Sequence, residues 1–229
     1  MIKAFVDSVV QFFFPTYCLA CQQVIDHRQA LFCFSCYSDL PRTRYFSEPY
    51  NLLYRRFVDD GLELQFAATL FYFRKQSVLQ KAIHQLKYNH KSKIGIYFGR
   101  LLGLEANNIK CLVDANYLLP MPLHPKKKNE RGYNQSYYIA KGISGMTSIA
   151  IENKAVRRIK NTSSQTKMNK KERLENMKGA FEWTKSFPDF THFVVVDDVI
   201  TTRASLTALI NSCPNKTYRF SVLGIGKSD

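Results

Sequence analysis

The run Phe193-Val194-Val195-Val196, closed by Asp197 and Asp198, constrains this chain more than any other feature. Four consecutive apolar residues without polar alternation predict a strand buried on both faces, as found in the middle of a parallel sheet sandwiched by helices. The remaining pattern agrees. Leu64–Phe73 is aromatic and apolar enough to predict a strand, and helical spacing follows in Val78, Ile83 and Leu86, then in Ile94, Phe98, Leu101 and Leu102. Tyr117–Met121 is a short apolar run ended by Pro-Met-Pro, Tyr137–Ile143 and Leu206–Ile210 read as helices, and Phe220–Ile225 as a last strand. Strands alternating with helices predict the α/β class with a parallel sheet. The Tyr/Pro/Arg-rich stretch up to about residue 62 reads as a connector.

In such sheets ligands bind beyond the carboxyl ends of the strands, which directs attention to the residues after Val196. The sequence there is Asp197-Asp198-Val199-Ile200-Thr201-Thr202-Arg203-Ala204-Ser205-Leu206. Two adjacent carboxylates at a strand end are costly unless they meet cations or hydroxyl donors, and a ribose offers two hydroxyls at a suitable separation. Residues Thr201 to Ser205 then turn into a helix N-terminus, where backbone N–H groups and three side-chain hydroxyls can cradle a phosphate. An acid pair followed by a phosphate cradle predicts a ribose-5-phosphate site. A plain N-cap would explain the hydroxyls and leave the two aspartates without a role.

Near the N-terminus, Cys18-Leu19-Ala20-Cys21 and Cys33-Phe34-Ser35-Cys36 form two C-x-x-C pairs eleven residues apart. Each pair lets a tight turn present two thiolates, and two turns complete a tetrahedron around one zinc ion. With all four positions filled by protein, the metal would staple a ribbon of about residues 16–45, too small to hold a core of its own. Cys111 and Cys213 stand alone and are expected to be packing residues.

Charge separates the chain further. The net +15 is uneven: residues 121–180 hold 14 of the 33 basic side chains and only 4 of the 18 acidic ones, a surplus of ten. A concentrated surplus of this kind predicts a polyanionic partner. Hydrophobic residues at 45% with 10 Gly and 8 Pro exclude a disordered or low-complexity chain. Ile2, Phe5, Val6, Val9, Val10 and Phe13 recur at helical spacing before Pro15, but Asp7 and Gln11 break any secretory signal core. We expect an amphipathic helix over residues 1–15, no transmembrane segment, and a cytoplasmic location.

The stretch from Val194 to Leu206 resembles the signature loop of type I phosphoribosyltransferases, which bind phosphoribosyl pyrophosphate (PRPP) with Mg²⁺. More of the chain resembles the ComF family, phosphoribosyltransferase-like proteins linked to DNA uptake in bacterial competence. The double C-x-x-C ribbon is similar to that family's zinc module. Pro120-Met121-Pro122-Leu123-His124-Pro125 through Arg131-Gly132-Tyr133-Asn134-Gln135 is similar to its P-x-P-L-H-P and R-G-(F/Y)-N-Q block. Arg158, Lys160, Thr162, Gln165, Arg173, Asn176 and Phe181 follow a third pattern, so that the matches run over about residues 15–227.

The resemblance implies a type I phosphoribosyltransferase-like parallel sheet at residues 62–229 behind a zinc ribbon at 16–45. It implies that Asp197 and Asp198, as the catalytic pair, hold the ribose hydroxyls. Thr201, Thr202, Arg203, Ala204 and Ser205 would wrap the 5′-phosphate. Lys126, Lys127, Lys128, Arg131, Gly132, Tyr133, Asn134 and Gln135 would lie near the pyrophosphate or over the pocket as a flexible hood. The same basic segment, with Tyr133, Tyr137 and Tyr138 interleaved, also suits single-stranded DNA, and other competence proteins are then expected partners. One position departs from the pattern. The usual phosphate loop has Gly where this chain has Arg203, and a left-handed backbone there would cost a non-glycine residue about 1–3 kcal/mol. Either the loop is rearranged, or the guanidinium contacts the phosphate directly.

Overall fold

The computed structural model describes residues 13, 15–25, 30–88, 91–161 and 170–228. The expected N-terminal helix, apart from Phe13 and Pro15, and the motif residues Thr162 and Gln165 lie outside them.

Five parallel strands form the central sheet: β3 (Phe66–Tyr72), β9 (Arg219–Lys227), β8 (His192–Ile200), β4 (Tyr117–Pro120) and β5 (Ala150–Ile151), in that spatial order. The expected central strand is β8, paired on both sides, with Phe193, Val194, Val195 and Val196 fully buried. Its ladder runs past the valines through the acid pair, Asp197 lying opposite Gly224 and Val199 opposite Gly226. Both carboxylates therefore hang from regular strand backbone near the carboxyl edge of the sheet.

Helix α3 (Val78–Tyr88) buries Leu79, Ala82, Ile83 and Leu86, the i, i+3, i+4, i+7 face of an amphipathic helix. Helices α4 (Ser92–Ala106) and α7 (Gln135–Thr147) pack backbone to backbone. A Cβ added at Gly99 would collide with the Ile139 carbonyl, and one at Gly142 with the Ile96 carbonyl, so the seam admits only glycine at these two points. This close crossing fixes α7, which also packs on β8 and β4, with its N-terminus at the carboxyl end of β8. Helix α9 (Ala204–Asn211) follows β8 directly.

Two of the elements that differ from expectation lie where the sequence predicts a connector and a loop. The stretch read as a connector contains α2 (Leu52–Asp59), capped by Asn51, whose side chain accepts from the Tyr54 amide at 3.0 Å and donates to the Ala67 carbonyl at 2.8 Å. Its inward face is the pair Leu53 and Phe57, too short a repeat to register as periodicity. The lysine run after Pro125 is not a loop but α6 (Pro125–Arg131). His124 caps it by accepting from the Lys126 amide at 3.2 Å, Pro125 opens it, and Gly132 at φ +73° ends it. With no buried residue, α6 has no apolar face for a sequence pattern to reveal.

The ribbon strands β1 (Thr16–Tyr17) and β2 (Val24–Ile25) pair antiparallel, followed by the short helix α1 (Phe34–Ser38). Phe32 docks the ribbon on α4, its ring centroid 6.2 Å from that of Tyr97 and 6.1 Å from that of Phe98. Cys213 is buried as expected, whereas Cys111 is only half-buried. Among the described residues no helix is long and apolar enough to cross a membrane.

Candidate functional site

The carboxyl end of β8 meets the N-terminus of α7 and the C-terminus of α3. Asp198 is 5% exposed, and its Oδ2 lies 3.0 Å from Lys87 Nζ and accepts from Gln135 Nε2 at 3.2 Å. Asp197 accepts through Oδ1 from Ser136 Oγ at 3.3 Å and from the Asp198 amide at 2.9 Å. Burial, then the charge of Asp198, pushes the Asp197 carboxyl up to about 7, against the pull of the Asp198 amide, Lys87 and Ser136. Such a pair near neutral pH carries one proton more readily than two negative charges. Gln135 Oε1 is buried with no hydrogen-bond partner among the described residues. An orphaned acceptor beside two carboxylates is a set of oxygen donors that fits a hydroxyl-bearing ligand or a hard divalent cation such as Mg²⁺.

Beyond β8, Thr201, Thr202 and Arg203 turn into α9 around a cavity of about 110 Å³, which Asp197, Ser205 and Leu206 also line. Ala204, in the same turn, is buried. Arg203 has φ +60° and ψ −10°, the left-handed conformation that glycine adopts without cost. Its guanidinium is engaged by α2. Its Nε pairs with Asp60 Oδ2 at 2.8 Å, and its carbon sits 5.9 Å over the Phe57 ring.

The basic side divides. Lys126 and Lys128 are exposed on α6, while Lys127 is half-buried. Its ammonium is held below the ordinary lysine range by burial first, then by repulsion from Arg158 and Arg131, with Glu130 opposing and Lys87 adding to it. Arg131 stacks 5.6 Å over Tyr88. Arg158, at the end of β6 (Val156–Arg158), is lowered by burial and raised by the Asp197 charge, and its guanidinium lies over the Phe181 ring in the partner strand β7 (Phe181–Trp183). Cations thus crowd one side of the acid pair. Outside them a groove of about 850 Å³ is lined by Gly132, Tyr133, Tyr137, Tyr138, Lys128 and Arg157, among others. Tyr137 and Tyr138 are both half-buried with rings at 87°, and Tyr133 donates its hydroxyl to the Leu86 carbonyl. Asn134 caps α7 by accepting from the Ser136 amide at 3.0 Å and donates to the Met121 carbonyl at 3.0 Å.

Gln135 therefore belongs with the acid pair and not with the lysines among which the sequence placed it. Lys87, Ser136 and Asp60 were not singled out by sequence. Lys87 follows the last buried residue of α3, Leu86, and nothing in the linear order connects it to position 198. The motif residue Asn176 is half-buried in α8 (Lys170–Met177), which packs on α9, and Phe181 is buried.

At the other end of the chain the sulfurs of Cys18, Cys21, Cys33 and Cys36 lie within 4.8 Å of one another, with Cys21 and Cys33 at 3.7 Å. A tetrahedron with ligands at about 2.3 Å has edges of about 3.8 Å, so the cluster could hold a metal ion such as zinc. Burial raises the Cys18 thiol, but backbone amides of Cys21, Cys33 and Ala20 outweigh it and bring it down to about 6. Cys36 is pushed up to about 12 by burial and by the three neighbouring sulfurs, a crowding that a cation relieves.

No family model matches the chain. Among curated proteins it is 31% identical over 134 residues to DNA utilization protein YhgH of Escherichia coli strain K12 and of Shigella flexneri, covering 57% of this chain and 59% of theirs. It is 31% identical over 132 residues to competence protein F of Haemophilus influenzae, 56% of this chain and 58% of that protein. The chain therefore matches less than two thirds of the length of these relatives. Within that span, the likeness to the ComF family drawn from the motifs holds: the proteins this chain resembles carry the names competence protein F and DNA utilization protein.

Proposed function

We propose that this chain is a PRPP-binding, phosphoribosyltransferase-like protein that serves competence or DNA utilization, as the names of its relatives suggest. One observation carries the reading: an acid pair, Asp198 buried and Asp197 half-buried, with an orphaned amide oxygen opens directly onto a left-handed loop and helix N-terminus at the carboxyl edge of a parallel sheet. Asp197 and Asp198 accept hydrogen bonds from the ribose 2′- and 3′-hydroxyls, with Gln135 Oε1 as a further acceptor. Thr201, Thr202 and Ser205 with the loop amides hold the 5′-phosphate, and Arg203 shapes the loop. Lys127, Arg131 and Arg158 face the pyrophosphate, with Lys126 and Lys128 at the rim. Mg²⁺, when bound with PRPP, neutralises diphosphate charge beside the carboxylates. If the site is active, the bond from ribose C1 to pyrophosphate oxygen breaks as a nitrogen nucleophile bonds to C1. Charge developing on the leaving group falls to these cations.

In the same proposal the chain has a structural zinc ribbon at 16–45 held by its four cysteines and a phosphoribosyltransferase-like unit at 62–229. Six cysteines without a disulfide among the described residues suit the reducing cytoplasm. Isothermal titration with PRPP and Mg²⁺ tests the reading, and no heat at millimolar ligand would sink it.

A second reading is single-stranded DNA binding in the groove where Tyr133, Tyr137 and Tyr138 stand beside Lys128 and Arg157. Gel shifts with oligonucleotides across a salt series decide it: affinity should fall steeply with salt, and salt-indifferent or unmeasurable binding rejects it.

A further inference from the structure

A buried ion pair ties the loop around the small cavity to an element distant in sequence. Arg203 and Asp60 are separated by 143 positions, yet their side chains are 11% and 12% exposed with Nε and Oδ2 2.8 Å apart. Asp60 is the C-cap of α2, where its amide donates back to the Phe57 and Val58 carbonyls. The Phe57 ring that lies under the Arg203 guanidinium is itself fully buried against the body of the protein. Arg203 thus has both its charge and its planar face engaged by α2, and its backbone is left-handed where a side chain is disfavoured. The side chain makes no cap bond to α9, which holds Arg203 through backbone alone, the Thr207 amide donating to the Arg203 carbonyl at 2.9 Å.

We propose that Asp60 is a positioning residue for the phosphate cradle: through its buried ion pair it anchors Arg203 on α2 and so holds the loop in the left-handed turn that glycine would adopt unaided. This rests on the reading that the loop receives the ribose 5′-phosphate. An arginine at this position then needs an acid at position 60, because a buried guanidinium without its partner would pull the loop toward solvent. Asp60 acts on the cradle through Arg203 and does not touch the ligand.

The prediction is a dependence of one substitution on the other. D60A, R203G, D60A/R203G and D60E are compared with the wild-type chain for melting temperature without ligand and for affinity toward PRPP with Mg²⁺ and toward pyrophosphate alone. D60A should weaken PRPP about tenfold, and pyrophosphate by less than about twofold, because the diphosphate does not use the loop. In the R203G background the same D60A change should cost less than about twofold, and D60E should recover part of the loss. Equal losses in both backgrounds, or equal losses for PRPP and pyrophosphate, overturn the proposal. Tighter PRPP binding by D60A also overturns it, since Asp60 would then be withholding the guanidinium from the phosphate. If the wild-type chain binds no PRPP, the proposed function fails, and the melting temperatures still judge the anchor. A drop from D60A that vanishes in the R203G background supports it, and a drop of the same size in both overturns it.

Discussion

Replacing Lys87 by methionine tests whether the acid pair depends on one cation from a helix that no motif identified. Lys87 Nζ is 3.0 Å from Asp198 Oδ2, with side chains 25% and 7% exposed. Removing one partner of a fully buried pair costs about 3–5 kcal/mol, and the partial exposure of Lys87 brings this to about 2 kcal/mol where both carboxylates are ionised. The cost should shrink when the pair can hold a proton. Asp197 is raised from 3.8 to about 7, so the folded chain binds a proton more tightly than the unfolded chain between those values. Its contribution to stability is complete below pH 4 and is lost as pH rises through 7. At 1.36 kcal/mol per unit that loss is at most about 4 kcal/mol, and about 2 after allowing for the partial exposure of Asp197. His192 titrates in the opposite sense. Burial, then the charge of Arg219, lowers it to about 4, so its contribution is present above pH 6.5 and lost as pH falls toward 4. The two slopes oppose each other in the wild-type chain, and only differences between variants isolate the acid pair. Urea unfolding of wild type, K87M and D197N from pH 5 to 8 measures them. K87M should cost about 1 kcal/mol at pH 5 and about 2 at pH 8, and D197N should gain on the wild type as pH rises. A K87M penalty constant across that range, or a D197N chain with the wild-type pH profile, would refute the coupling.

Three further outcomes are expected. Metal analysis of the purified chain should give one zinc, and chelation or C36S should lower the melting temperature by releasing the ribbon and exposing Phe32, which is 4% exposed on its seat against Tyr97 and Phe98; a metal-free native protein refutes this. G142A should destabilise by about 1–3 kcal/mol in urea unfolding, because its methyl group has backbone on every near side, whereas G145A, with open space at its Cβ, should be neutral or slightly stabilising. H192Q should reduce the loss of stability between pH 6.5 and 4 by about 1–2 kcal/mol, since the neutral amide has no proton to gain on unfolding.

How much of this could be read from sequence depended on whether a signal is local. The valine run of β8, the amphipathic face of α3 and the two C-x-x-C turns are each written within about twenty residues, and each appears where expected. Two of the helices that escaped, α2 and α6, are set by caps, Asn51 and His124, rather than by apolar repeats. The acid pair and the left-handed position of Arg203 were legible, because strand-end chemistry and a missing glycine are local facts. Lys87, Ser136 and Asp60 were not, because each reaches the site across 111, 61 and 143 positions of sequence, set by helix packing. Gln135 was read with its sequence neighbours, yet it sits at the first turn of α7, and the Gly99–Gly142 crossing turns that end toward β8.

The same cations suit a diphosphate and a DNA backbone, so charge alone does not choose between the two readings. The acid pair does. Two neighbouring carboxylates, one raised to about 7, are met in part by Lys87, Gln135 and Ser136, and a ligand bringing further hydroxyl donors or a divalent cation would relieve the remaining repulsion. A deoxyribose has no 2′-hydroxyl, and within a strand its 3′-oxygen is esterified, so DNA in the groove leaves Asp197, Asp198 and Gln135 Oε1 unanswered and adds negative charge beside them. A ribosyl diphosphate supplies both hydroxyls to the pair and its phosphates to the cations at once. The expected consequence is competition with a particular requirement: PRPP should displace any bound oligonucleotide, and ribose 5-phosphate should bind at least about tenfold more tightly than 2-deoxyribose 5-phosphate. Equal affinity for the two sugars, measured by titration, would remove the role given to the aspartates and leave the groove as the functional surface.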